Sequence, residues 1–134
     1  MSDMATAIES RRVAEKEQAL FYRTLAAAAE DAGDEDLAQR FQGLHADEQH
    51  HLSRFTARLV ELGVTPADLG GTRAPVVELP GWEQVARERE QGEVLAYEAL
   101  LEQTQDDRTR ELVRETLAVE RHHATELGGK WTLA

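Results

Sequence analysis

The chain has 134 residues, a formal net charge of −11 at pH 7 and no cysteine, and 41% of its residues are hydrophobic. This length suits one domain with one core, and the acidic surplus argues against a general nucleic-acid binder, which needs a basic face. Without cysteine, disulfides, thiolate zinc sites and iron–sulfur clusters are excluded.

Secondary structure is expected to be all helical, because the prominent residues Ala, Leu, Glu, Arg and Gln are helix formers and β-branched runs are nearly absent. No apolar stretch approaches the length of a membrane span, and the first residues lack the apolar run of a signal peptide. We therefore expect a cytoplasmic protein of one domain, residues 1–134, that has no membrane segment.

The first two predicted helices form a hairpin. One covers residues 3–31, and Asp34 is a suitable N-cap for the next, which covers residues 35–62. The apolar stripe of the second helix consists of Leu and Phe, with Glu48 and His51 at its centre. Two polar residues in the middle of an apolar stripe indicate a buried site rather than a solvated surface.

A linker at residues 64–81 contains all three prolines and several glycines. It is too long for a tight helix hairpin. Fully extended it would reach roughly 60 Å, whereas the helix before it is about 40 Å long. The length therefore predicts a crossover that starts the third helix at the opposite end of a bundle.

The last two predicted helices form a second hairpin, at residues 82–104 and 107–127. Two glycines stop the fourth helix, and the short tail that follows carries Trp131 and Leu133. We expect these two apolar side chains to dock on the bundle.

The two hairpins repeat one another in sequence. Glu15 precedes Tyr22 by seven residues, and Glu90 precedes Tyr97 by the same distance; the chain has no other tyrosine. In the second helix of each hairpin a Glu-x-x-His motif follows, Glu48 with His51 in the first copy. The pattern indicates two helix hairpins of common design, joined by the proline-rich linker.

The second copy of the motif is Glu120 with His123. Residues three apart lie on one helical face about one turn apart, so a carboxylate and an imidazole in this relation can hold one metal ion. Exposed charged pairs are the alternative interpretation, and the position of both motifs within apolar stripes disfavours it.

Charge balance favours a dinuclear metal site. Buried carboxylates without partners cost several kcal/mol or more. Four carboxylates exceed the charge of two imidazoles even when both are protonated, whereas two divalent cations balance four carboxylates. Oxygen donors with imidazole suit iron or manganese. The candidate ligands are Glu15, Glu48, His51, Glu90, Glu120 and His123.

This arrangement of ligands resembles the ferritin-like superfamily, four-helix bundles with a di-iron or di-manganese centre, and most closely its rubrerythrin branch. The resemblance covers about residues 5–127. It implies that Glu48 and Glu120 bridge two metals and that each histidine binds one of them. It also adds Glu93 as a ligand, one turn after the Glu of the third helix, where the first hairpin has Gln18.

The same resemblance implies an enzyme, a di-iron oxidoreductase that reduces hydrogen peroxide or dioxygen. Because the rubredoxin domain of rubrerythrin proper has no counterpart here, electrons would come from a separate donor. Tyr22 and Tyr97 would hydrogen-bond carboxylates or supply an electron. A homodimer or larger homo-oligomer is expected, as dimers are common in the family.

Two other functions stay open at this point. With Fe²⁺ as the electron source the site would be a ferroxidase that serves iron storage or detoxification, in a cage or inside a protein compartment. A helical interaction or phosphotransfer module without enzymatic activity is the third candidate, although a phosphotransfer histidine should be solitary and exposed. Of the remaining histidines, His50 and His122 are expected outside the metal site, and His45 at the surface or behind a ligand.

Overall fold

The computed structural model describes residues 2–127. They form four α-helices and no strand: α1 (Asp3–Asp31), α2 (Glu35–Glu61), α3 (Trp82–Gln103) and α4 (Asp107–Glu126). The all-helical class predicted from composition is confirmed. Within the described range no helix combines the length and the apolar character that crossing a bilayer requires. The predicted docking of Trp131 and Leu133 lies outside the described residues.

Aspartate side chains cap the second helix of each hairpin. Asp34 Oδ1 accepts a hydrogen bond from the Leu37 N–H at 3.1 Å, and Asp106 Oδ2 accepts one from the Thr109 N–H at 2.9 Å. Each bond satisfies one of the four N–H groups that a helix leaves open at its start. The predicted cap at Asp34 is confirmed.

Three of the helices end one residue earlier than expected from the sequence. Leu62, Thr104 and Leu127 still donate their N–H groups to the preceding helix, but their backbone leaves the helical conformation. After Leu62 the chain turns at Gly63, whose φ of 78° is costly for a residue that carries a Cβ atom.

Two compact units make up the chain, Met1–Leu79 and Pro80–Ala134. Each contains one helix hairpin and is described by itself. The interpretation of residues 1–134 as one domain stays a prediction.

In the first unit, α1 packs antiparallel to α2. Arg12 Nε, near the start of α1, donates to Thr56 Oγ1 near the end of α2 at 2.9 Å. Further along α1, the Ala19 carbonyl oxygen lies 2.8 Å from Nδ1 of His45. The apolar stripes of the two helices are buried, with Ile8, Phe21, Leu25, Phe41, Phe55 and Leu59 fully enclosed.

The first part of the linker lies against the same hairpin. Ala67 donates its N–H to Glu9 Oε2 at 2.8 Å, and its carbonyl oxygen accepts from Nη1 and Nη2 of Arg12 at 3.3 Å. Glu9 and Arg12 also form an ion pair with each other. We call this group of three residues the Ala67 clasp. The course of the linker beyond it, from one end of a bundle to the other, stays a prediction.

In the second unit, α3 and α4 form the shorter hairpin. Nη1 of Arg110 donates to the carbonyl oxygens of Leu101 and Thr104, which closes the turn between the helices. An exposed ion pair joins Arg121 of α4 to Glu98 of α3 at 3.1 Å. These contacts link α4 to α3 and to the turn between the two helices.

Candidate metal centre

The first hairpin brings three predicted ligands together. Glu15 comes from α1, and Glu48 and His51 come from adjacent turns of α2. Nδ1 of His51 lies 3.4 Å from Glu15 Oε2 and 3.9 Å from Glu48 Oε1. One ligand atom from each residue lies within 4.8 Å of the others. We call this set the first cluster.

The second hairpin repeats the arrangement with Glu90 from α3 and with Glu120 and His123 from α4. Nδ1 of His123 lies 3.6 Å from Glu90 Oε1 and 3.6 Å from Glu120 Oε1. These three residues also offer ligand atoms within 4.8 Å of one another. We call them the second cluster.

Both clusters are buried. The four glutamates are 0% exposed, and the two histidines are 4% and 3% exposed. The Glu and His of each Glu-x-x-His motif are buried because both side chains lie on the same face of the helix, and this face is the apolar one. The exposed charged pairs considered above are therefore not what the structure contains.

The donor set fits a divalent metal ion in each cluster. Two glutamates and a neutral imidazole carry a charge of −2, which one divalent cation would neutralise. In a site that excludes water, carboxylates need a cation or hydrogen bonds to remain ionised. Oxygen donors combined with imidazole are the set that iron and manganese take, and the chain has no thiolate to offer.

Neighbouring histidines and glutamates are less buried than these predicted ligands. His50 and His122 are exposed, although each directly precedes a buried histidine. Glu17 is only half-buried, and Glu88 is exposed. The choice of Glu15 and Glu90 from the sequence thus agrees with the burial of their side chains.

Glu93 differs from the six other predicted ligands. It is half-buried on α3, and neither cluster includes it. Its counterpart one turn after Glu15 is Gln18, which is 0% exposed. The two hairpins therefore differ at this position both in charge and in burial.

The two tyrosines are completely buried. The ring of Tyr22 meets that of Phe21 edge to face, with centroids 5.2 Å apart. Tyr97 occupies the corresponding position on α3. Their predicted part in the reaction stays a prediction.

Two features of the first unit had no signal in the sequence. One is the Ala67 clasp, and the other is a cleft beside it that is lined in part by Lys16. Both depend on where the linker lies, and a proline- and glycine-rich segment has no periodicity from which its course can be read. His45, expected at the surface or behind a ligand, is half-buried and bonded to the backbone of α1.

Solved structures show which fold this chain shares. The bacterioferritin of Desulfovibrio desulfuricans aligns with a TM-score of 0.87 and 20% identity over 96% of this chain and 77% of that chain. Chlorobium tepidum ferritin gives 0.85 and 15% over 98% of this chain and 84% of that chain. A ferritin-like protein of Bacillus anthracis gives 0.80 and 22% over 98% and 100%. The chain has the ferritin-like four-helix-bundle fold, as predicted.

Sequence comparison adds a match to one family model. The rubrerythrin family model matches residues 1–59, a range that contains the whole first cluster. The predicted resemblance to ferritin-like proteins of rubrerythrin type is confirmed. Among curated proteins, none matches this sequence.

Proposed function

We propose that the protein is a di-iron oxidoreductase of rubrerythrin type, which reduces hydrogen peroxide or dioxygen with electrons from a separate donor. The observation that carries the proposal is the duplication of a buried cluster of two glutamates and one histidine. In this proposal each cluster supplies ligands to one of two iron ions, with manganese as the other candidate metal. Glu48 and Glu120 would hold metal together with the other ligands, in the role that the resemblance to ferritin-like proteins implies for them.

The similarity to a known family and to solved structures supports iron in particular. The rubrerythrin model covers the first cluster. The D. desulfuricans protein is described as having a diiron site in different catalytic states, and the B. anthracis protein as diiron-carboxylate. The second cluster lies outside the matched range, and its support is the repeat of the same three residue types at the same spacing.

The chain would contribute two things to the reaction. Its glutamates would hold the metals at fully buried positions, where the exclusion of solvent strengthens each electrostatic interaction. Nδ1 of each histidine faces two carboxylates, so the imidazole would serve as a further ligand to a metal that the carboxylates hold. When bound, a pair of Fe²⁺ ions supplies the two electrons that reduction of peroxide to water requires.

A ferroxidase is the second candidate, and the similarity to a bacterioferritin and a ferritin favours it. In this reaction Fe²⁺ is the substrate and the source of electrons. A similar protein from Bacteroides fragilis, with a TM-score of 0.76 and 22% identity, is described as a dodecameric thioferritin. We propose that this chain also forms a homo-oligomer. A cytoplasmic location, free or within a protein compartment, stays a prediction.

Iron-loaded protein tests both candidates. We expect about two iron ions per chain and repeated turnover of peroxide or dioxygen when a chemical reductant is supplied. His51→Ala should lower the iron content, whereas the exposed neighbour His50→Ala should not. A ferroxidase would instead oxidise many equivalents of Fe²⁺ per chain and form a light-scattering mineral. Less than half an iron per chain, unchanged in His51→Ala, would remove both candidates.

A further inference from the structure

A cleft of about 520 Å³ lies on the first unit, between α1, α2 and the linker. This volume is within the range of small-molecule sites. Lys16 of α1 lines it together with Ser53 and Ala57 of α2 and Leu69 of the linker. The cleft is separate from the metal ligands, none of which lines it.

The Ala67 clasp builds one wall of this cleft. Because Glu9 and Arg12 bind both the N–H and the carbonyl oxygen of Ala67, the linker is tied to α1 just before Leu69 and Gly70, which line the cleft. A wall attached by several hydrogen bonds gives a ligand a preformed surface, which lowers the cost of ordering the site on binding.

The charge in the cleft is uneven. Arg12 also lines it, but its guanidinium is already engaged by Glu9, Thr56 and the Ala67 carbonyl oxygen. Half-buried Lys16, in contrast, forms no hydrogen bond or ion pair with another residue of the described part of the chain. Its ammonium group is therefore a positive charge available to a ligand, in a protein whose net charge is strongly negative.

We propose that this cleft binds a small organic anion. Lys16 would hold a carboxylate, sulfonate or phosphate group, with the Ser53 hydroxyl as a second donor. Leu52, Ala57 and Leu69 would pack against an apolar body attached to that group. The proposal goes beyond the redox function, since it assigns a ligand site that the metal chemistry does not need.

A second cleft on the other unit provides the comparison. Its volume is about 550 Å³, and it lies between α3 and α4, where Val94, Leu95 and Ala124 line it. The one cation among its lining residues is Arg121, which Glu98 already pairs at 3.1 Å. It offers an apolar surface of similar size without an available charge, so it should not select anions.

Three probes distinguish the contribution of charge to binding from the contribution of apolar contact. 8-Anilinonaphthalene-1-sulfonate carries both an aromatic body and an anion, N-phenyl-1-naphthylamine has a similar body and no charge, and inorganic sulfate has only the charge. With the iron-loaded chain of 134 residues we expect saturable binding of one sulfonate probe per chain, detected by fluorescence. The neutral amine should bind at least about tenfold more weakly, since it lacks the ionic contact. Sulfate in the millimolar range should not displace the probe.

Matched variants test whether the probe binds in this cleft. Lys16→Glu should weaken sulfonate binding at least about tenfold, because it reverses the charge that the anion meets. Arg23→Glu makes the same charge change at an exposed position seven residues further along α1 and should leave binding unchanged. Ala57→Phe should block the cleft without altering charge, and Ala27→Phe, exposed on α1, is its control.

Equal affinity in Lys16→Glu and Arg23→Glu would overturn the proposal, as would equal binding of the neutral and anionic probes. Iron content is measured on every variant. A loss of probe binding with iron unchanged then supports the cleft as a site of its own. If Lys16→Glu loses iron as well as probe binding, the result for Ala57→Phe takes its place. Retained probe binding in Ala57→Phe would overturn the proposal.

Discussion

The two hairpins use the same three ligand types in different surroundings. In the first cluster the histidine Nδ1 lies closer to the Glu of the preceding helix, at 3.4 Å against 3.9 Å, whereas both distances are 3.6 Å in the second. One turn after the first glutamate, the first hairpin buries the neutral Gln18 and the second has the half-buried acid Glu93. A repeated motif thus fixes which donors are present, while the neighbouring residues set the charge around them.

The largest expected effect comes from removing one ligand of either cluster. His51→Ala and His123→Ala should each lower iron from about two to about one or less per chain. Peroxide reduction should fall by more than the roughly 10–100-fold that losses outside the ligand shell cost. Metal analysis and turnover measurements check this, with His50→Ala and His122→Ala as the exposed controls. If only one of the two ligand variants lost iron and peroxide reduction, the two clusters would not belong to one metal centre.

Metal removal should be the next largest effect. Without a cation the buried glutamates must protonate or admit water. A ligand at one hundred times its dissociation constant stabilises a fold by about 2.7 kcal/mol per site. Two such sites correspond to an increase of about 10 °C or more in melting temperature for a chain of this size. Calorimetry of chelated and reloaded protein measures it, and identical melting curves would contradict burial of metal in either hairpin.

Exchange of Gln18 and Glu93 probes the asymmetry directly. Gln18→Glu adds a carboxylate to the fully buried position and should destabilise the metal-free protein by about 2–4 kcal/mol. Glu93→Gln should change stability by less than about 0.5 kcal/mol, since that side chain is partly solvated. Urea unfolding gives both values. Iron content should stay unchanged in Glu93→Gln; a loss would make Glu93 a ligand that joins the second cluster when metal binds.

The two tyrosines allow a comparison at equal burial. Tyr22→Phe and Tyr97→Phe keep the ring and remove only the hydroxyl, which normally has a hydrogen-bond partner when buried. We expect a loss of about 1 kcal/mol in stability for each, and a decrease of about three- to tenfold in turnover. Stopped-flow kinetics and thermal unfolding separate the two effects. Unchanged turnover in both variants would leave the tyrosines with a structural role only.

A smaller effect than those of the ligand and metal changes should appear at the Ala67 clasp, which only the first unit contains among the described residues. Burial by itself raises the pKa of Glu9, but the hydrogen bond from the Ala67 N–H and the charge of Arg12 lower that pKa below its ordinary value of 4.5. The ionised carboxylate therefore stabilises the folded state above pH 4.5, and this contribution disappears as the pH falls through the lowered pKa.

Glu9→Gln should accordingly cost about 0.5–1 kcal/mol of unfolding free energy near neutral pH and less in acid. Chemical unfolding at a series of pH values measures the difference. The control is Glu61→Gln, which removes the more exposed partner of Arg58 and should have a smaller effect. An equal cost at pH 3 and pH 7 would contradict the ionised clasp.

Local periodicity made much of this protein predictable. The helices could be placed within a residue because apolar spacing, aspartate caps and terminating glycines act over a few residues. The same spacing indicated that Glu48 and His51, or Glu120 and His123, share one buried face. The all-helical class followed from composition, and the ferritin-like fold from the resemblance that the repeated ligand motifs carry; both agree with the solved ferritin-like structures.

Contacts between distant segments were decided by the tertiary structure alone. Only the packing of α1 on α2 brings Glu15 to His51, and only the course of the linker creates the Ala67 clasp and the cleft at Lys16. The position of Glu93 outside both clusters is of the same kind, because the packing around α3 decides how near its carboxylate comes to the others. Its role as a ligand stays a prediction. Sequence determines which face of a helix a side chain occupies, whereas the packing of other segments against that face determines what the side chain meets.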